Sequence, residues 1–194
     1  MRALLLLMAL AAAGSAGAFD LPPRAEAVLD RGHPWIDVRP DVDGHSGLVR
    51  AAVDIAASKE TVWSLMLDCD AALRMVANLK SCRVIERDPQ GRYDVREQVS
   101  GAPFLPPVRN VYRSDYDRPN RIRFHRTGGD MTVFDGEWRL TSRLDGVRVT
   151  YEARASAPFA VPGWLARATL RHEVPAALSA LKREAQATPA ERIP

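Results

Sequence analysis

Residues 162–187, PGWLARATLRHEVPAALSALKREAQA, carry a single long helical period. Ala166, Leu170, Val174, Ala177, Leu178 and Leu181 recur at helical spacing, so one stripe of this helix needs a cover. Strands precede it. In FDGEWRLTSRLDGVRVTYEARA, residues 134–155, Phe134, Trp138 and Leu140 alternate along one strand. Val147, Val149, Tyr151 and Ala153 do so along the next, and an Asp145-Gly146 turn joins them. One long helix facing several antiparallel strands can bury its stripe only against the concave side of a curved sheet. The expected fold class is therefore α+β, a sheet gripping a helix.

The rest of the chain fits that order. GLVRAAVDIAAS reads as a half-buried strand with Val49, Ala51, Val53 and Ile55 on one side. Ser58 is an N-cap for the helix KETVWSLMLD, whose stripe is Val62, Leu65 and Met66. CDAALRMVANLKS is a second, short helical stretch, and CRVIERDPQGRYDVREQVSG is a hairpin around Pro-Gln-Gly. The three prolines of APFLPPV make a loop. VRNVYRSDYD, RIRFHRTGG, MTVFDGEWRLTSRL and GVRVTYEARASA continue as strands. The sum is one strand, two short helices, about six strands and a long helix, with no internal repeat. Ahead of it, residues 19–47 form a Pro-rich lead-in holding a short helix in PPRAEAVLDRG and an extended stretch in PWIDVRPD. The expected domain spans residues 48–187, with a flexible tail at 188–194.

The first eighteen residues are expected to leave the mature protein. Arg2 is a positive n-region, an apolar run follows from Ala3 to Ala13, and small residues end at Ala16-Gly17-Ala18. The pattern predicts a signal peptide cleaved after Ala18 and a periplasmic protein if the source is Gram-negative. The apolar run is about half the ~20 residues a spanning helix needs. Export favours pairing the two cysteines, Cys69 and Cys82, the other reading being two buried thiols. With 194 residues and 46% hydrophobic residues, one domain can bury a sizeable core. The +3 formal charge is spread over interleaved Arg, Asp and Glu, so no nucleic-acid footprint is present.

VDIAASKETVWSLMLDCDAALRMVANLKSCRVIE and FDGEWRLTSRLDGVRVTYEARASAPFAVPGWL together resemble the START-like superfamily. The likeness is to its polyketide cyclase/dehydrase and coenzyme-Q-binding branch, over about residues 48–185. The first stretch is similar to that family's opening strand, its V-W helix with Asp68 at the end, and its return strand. The second is similar to its G-x-W-x-L hairpin and closing helix. The order G-V-R-V-T-Y and the lead-in of residues 19–47 depart from the pattern. The resemblance implies a helix-grip fold around an apolar cavity for a lipid, isoprenoid, quinone, sterol-like or aromatic ligand.

Trp138 and Tyr151 on one inner face then suit either a filled core or the wall of a cavity. The expected ligand-binding residues are Tyr112, Phe124, Trp138, Tyr151, Leu170 and Val174, with a polar end at Glu97 and Arg126. Glu97 shares the alternation of Tyr93, Val95 and Val99, and a carboxylate on an inner face needs a partner such as Arg126. Phe104 and Leu105 are the tip of an expected lid over the cavity mouth, suited to transient membrane contact. Pro175 is expected to kink the last helix.

Enzyme signatures are missing: no G-x-S-x-G, no P-loop, no G-x-G-x-x-G. His33, His45, His125 and His172 are scattered, so neither a metal nor another cofactor is expected. The expected function is carriage of a small hydrophobic ligand by a monomer. The alternative is an aromatase/cyclase or dehydratase acting on a ketone through Glu97, Tyr112 and Arg126.

Overall fold

The computed structural model describes residues 19–41, 46–101, 106–156 and 162–188. The chain runs α1 (Pro23–Leu29), β1 (Trp35–Pro40), β2 (Gly47–Ile55), α2 (Lys59–Leu67) and α3 (Cys69–Met75). It continues through β3 (Leu79–Arg87), β4 (Tyr93–Ser100), β5 (Val108–Asp117), β6 (Arg121–Gly129), β7 (Val133–Arg143) and β8 (Gly146–Ser156) to α4 (Gly163–Ala187). The eight strands form one curved antiparallel sheet in the order β1-β2-β8-β7-β6-β5-β4-β3. The two short helices α2 and α3 together with α4 lie on its concave side, which is the α+β helix-grip arrangement.

Local chemistry explains the element ends. Ser58 Oγ accepts the Thr61 amide at 3.0 Å and starts α2. Asp68 ends α2 and caps α3, its carboxylate accepting the Asp70 amide at 2.8 Å. In the β7–β8 turn Gly146 has φ +140°, a conformation a side chain would resist. Gly136 in β7 is required by contact: a Cβ there would stand 2.2 Å from the Glu152 carbonyl oxygen and 2.8 Å from Phe124 Cζ. Its missing side chain lets the Phe124 ring lie across the strand.

Two regions differ from the sequence expectation. The lead-in is part of the fold, because β1 pairs with β2 from Trp35↔Ala52 to Pro40↔Gly47 and makes the sheet edge. On the sheet's outer side α1 packs Ala25 and Leu29 against Trp35 and Ala52. Arg148 locks this helix down by donating to both Glu26 (2.6 and 2.9 Å) and Asp54 (2.7 and 2.7 Å). The extended stretch expected in PWIDVRPD is this strand; what six residues do not reveal is the strand they pair with. The second difference is in α4, where Leu178, Ala180, Leu181 and Ala185 are buried while Trp164 and Leu165 are exposed. Leu170 and Val174 are half-buried, so the sheet covers the helix fully only beyond Pro175, which α4 accommodates within one helix.

Cys69 and Cys82 are bridged, joining the start of α3 to β3 with Cα atoms 5.3 Å apart. Closing a loop of about 14 residues is worth roughly 3 kcal/mol in the chain-entropy model. Thiol counting on the denatured, unreduced protein is expected to find no free thiol, and reduction to lower the unfolding midpoint. Two free thiols, or a midpoint indifferent to reductant, would contradict this.

Candidate functional site

The register places the aromatic rings of four strands on the concave face. Trp138 of β7 is opposite Tyr151 of β8 and Ile122 of β6, and Gly136 separates Phe124 from Ala153. Trp138 and Tyr151 are in contact at 4.1 Å between ring centroids, and Phe124 stacks on Tyr151 at 6.1 Å. Phe134 lies 4.9 Å from Phe124 and 5.2 Å from Tyr112 of β5, completing a continuous wall. Phe124 is buried; Tyr112, Phe134, Trp138 and Tyr151 are half-buried. Of the expected ligand-binding residues, Tyr112, Phe124, Trp138 and Tyr151 are thus brought together. Val174 packs on the same core that Trp138 and Tyr151 touch.

The expected polar end is not formed. Glu97 stands on the outer face of β4, opposite Arg83 and Val111, where its carboxylate accepts from Arg83 and from Arg109 Nε (2.6 Å). Those two guanidinium groups, Arg83 first, hold its carboxyl below the usual range. Arg126 is exposed and donates to the Gly129 carbonyl at 3.0 Å rather than to Glu97. The cause is the phase of β4. Tyr93 and Val95 face outward, and Arg113 lies 3.7 Å above the Tyr93 ring. Phe104 and Leu105, the expected lid, lie outside the described residues.

The inner face of β4 instead carries Asp94 and Arg96, a pair with 4% and 5% of their side-chain surfaces exposed. Arg96 Nε donates to Asp94 Oδ1 at 3.0 Å and Nη2 to Oδ2 at 2.9 Å. Nη2 also reaches the Leu67 carbonyl at 2.9 Å and the Tyr116 hydroxyl at 3.3 Å, and Nη1 reaches the Met66 carbonyl at 3.4 Å. The guanidinium therefore closes the C-terminus of α2, where a helix favours positive charge. Burial works against that charge, Asp94 more than offsets it, and the net effect is to hold Arg96 above its usual range. An Asp-x-Arg pair two residues apart on one strand is the available sequence signal; by pattern alone it reads as solvated surface.

All four tyrosines are held protonated. Burial pushes Tyr112 up to about 12 and raises Tyr116 and Tyr151 further, while a hydrogen bond to Glu86 raises Tyr93. On this wall the phenols are hydrogen-bond groups and not bases. The sign follows from linkage: a phenol with a raised folded pKa contributes stability below about pH 10 that is lost as pH climbs through the folded value. Absorbance titration at alkaline pH is expected to show ionisation of Tyr112 and Tyr151 only together with unfolding. Their ionisation near pH 10 in the folded protein would contradict the burial of the wall.

The architecture is that of the START-like superfamily, and solved structures share it. A STAR-related lipid transfer protein from Xanthomonas axonopodis superposes with a TM-score of 0.67 at 22% identity, covering 79% of this chain and 94% of that one. A protein from Thermus thermophilus gives 0.63 at 24% identity over 74% and 99%. The Zhui aromatase/cyclase from a Streptomyces species gives 0.61 at 17% identity over 73% and 94%. Residues 55–182 match the family model described as polyketide cyclase / dehydrase and lipid transport, and the chain belongs to that family. No curated protein matches it in sequence.

Proposed function

We propose that this protein is an exported carrier that holds one small hydrophobic molecule between the aromatic wall and the N-terminal half of α4. The observation that carries the reading is the wall itself: Tyr112 packs on Phe134, and Trp138 and Tyr151 pack on each other and on the core, yet all four rings keep part of their surface open. That condition suits the lining of a binding space better than a filled core. The leader-like residues 1–18 and the Cys69–Cys82 bridge support export. Binding is favoured over catalysis because Glu97 is on the opposite face and Arg96 is fully engaged, which leaves the wall phenols without a base among the described residues.

Native mass spectrometry of the protein purified from its own cell envelope tests this. The expected spectrum contains a complex heavier than the mature chain by one lipid-sized mass, released on denaturation. Protein that emerges empty and takes up no apolar dye would refute carriage. Steady turnover of a polyketide-like ketone would favour the cyclase alternative.

A further inference from the structure

On the β4–β5 side the aromatic wall ends in three uncharged polar side chains. Gln98 of β4 is directly opposite Asn110 of β5, and Tyr112 lies two residues along β5 on the same face. Asn110 is 7% exposed, and its Oδ1 has no hydrogen-bond partner. Gln98 Nε2 reaches Cys82 Sγ at 3.8 Å, a weak acceptor, and the Gln98 side chain also bonds the Tyr112 hydroxyl. A buried amide oxygen without a donor is uncommon in folded proteins and asks for one. Two charged groups neighbour Tyr112 across the strands: Arg96, committed to Asp94 and the end of α2, and Arg126, exposed and donating to the Gly129 carbonyl.

We propose that Gln98, Asn110 and Tyr112 form the hydroxyl-binding end of the ligand site, so that the molecule carried is an apolar one bearing an uncharged hydroxyl. The inference rests on the carrier reading and adds the polar chemistry of the ligand to it. The ligand hydroxyl donates to Asn110 Oδ1 and accepts from Gln98 Nε2 or the Tyr112 hydroxyl. Its apolar body lies along Phe124, Phe134, Trp138 and Tyr151. A carboxylate head would meet Arg96 already neutralised by Asp94 and Arg126 directed to solvent and the Gly129 carbonyl, so its desolvation would oppose binding. An ether in place of the hydroxyl accepts but cannot donate, leaving Asn110 Oδ1 unpaired.

Displacement of Nile red from the full mature protein by 1-tetradecanol, its methyl ether and tetradecanoate tests this. Tetradecanol is expected to displace the dye at about tenfold lower concentration than the ether, with tetradecanoate weaker still. In Asn110→Leu the alcohol and ether are expected to converge to within about twofold. Gln98→Met, close in volume and only half-buried, is expected to narrow the gap to about threefold and serves if Asn110→Leu does not fold. Equal displacement by alcohol and ether, or stronger displacement by tetradecanoate, overturns the hydroxyl end and leaves the carrier reading standing. Failure of Nile red to bind the unsubstituted protein overturns both.

Discussion

Arg96→Met is expected to lower the thermal midpoint by roughly 10 °C, the largest effect of a single substitution on the inner face. The charge removed is 5% exposed, and the carboxylate left behind, Asp94, is 4% exposed. Removing one member of such a pair costs about 3–5 kcal/mol because the other charge stays buried without compensation. Each kcal/mol shifts the midpoint of a domain this size by about 2–4 °C. Here the Met66 and Leu67 carbonyls also lose their donor, so the end of α2 is loosened. The double variant Asp94→Leu/Arg96→Met is expected to recover most of the loss, since an apolar pair of similar volume often matches a buried ion pair. Calorimetry of the parent and both variants decides it. A single variant that melts within about 2 °C of the parent would mean that Asp94 finds water.

Trp138→Ala is expected to cost about 3 kcal/mol of stability and to weaken binding of Nile red by at least about tenfold. Truncating a core aromatic costs roughly 3–5 kcal/mol, and a half-buried ring belongs at the lower end. The affinity loss has a separate origin, the contact area that the indole offers to an apolar ligand. Tyr151→Phe keeps the ring against Trp138 and is expected to leave dye binding within about twofold. Urea unfolding with an unchanged slope gives the stability part, and dye titration in the absence of denaturant gives the other. If Trp138→Ala loses stability and binds the dye as before, the wall is only core.

How far the sequence reaches depends on what each strand does with its two faces. On β7 and β8, Phe134, Trp138, Leu140, Val149 and Tyr151 are apolar inside and charged neighbours lie outside, so alternation identifies the inner face correctly. On β4 the same rule fails. Tyr93 and Val95 cover the outer face beside Arg113, while the inner face is occupied by the ion pair of Asp94 and Arg96. Periodicity registers apolar residues, and a buried charge that is neutralised by a same-strand partner and helix carbonyls is invisible to it. Alternation assigns Glu97 to the cavity for that reason. Asn110 has no sequence signal because an isolated amide in NVYRSDY carries no pattern; its significance lies in an unpaired oxygen that only packing reveals. The long α4 is evident from its spacing, but its division at Pro175 into a half-exposed and a buried half depends on where the sheet ends.

The concave face is expected to close around a ligand. A crystal structure of the protein with the molecule that co-purifies with it, or with 1-tetradecanol, tests this most directly. Ligand density is expected between α4 and the rings of Tyr112, Phe124, Trp138 and Tyr151. Density on the outer sheet face, or an interior in which Trp138 and Tyr151 are fully packed by protein with no space beside them, would contradict it.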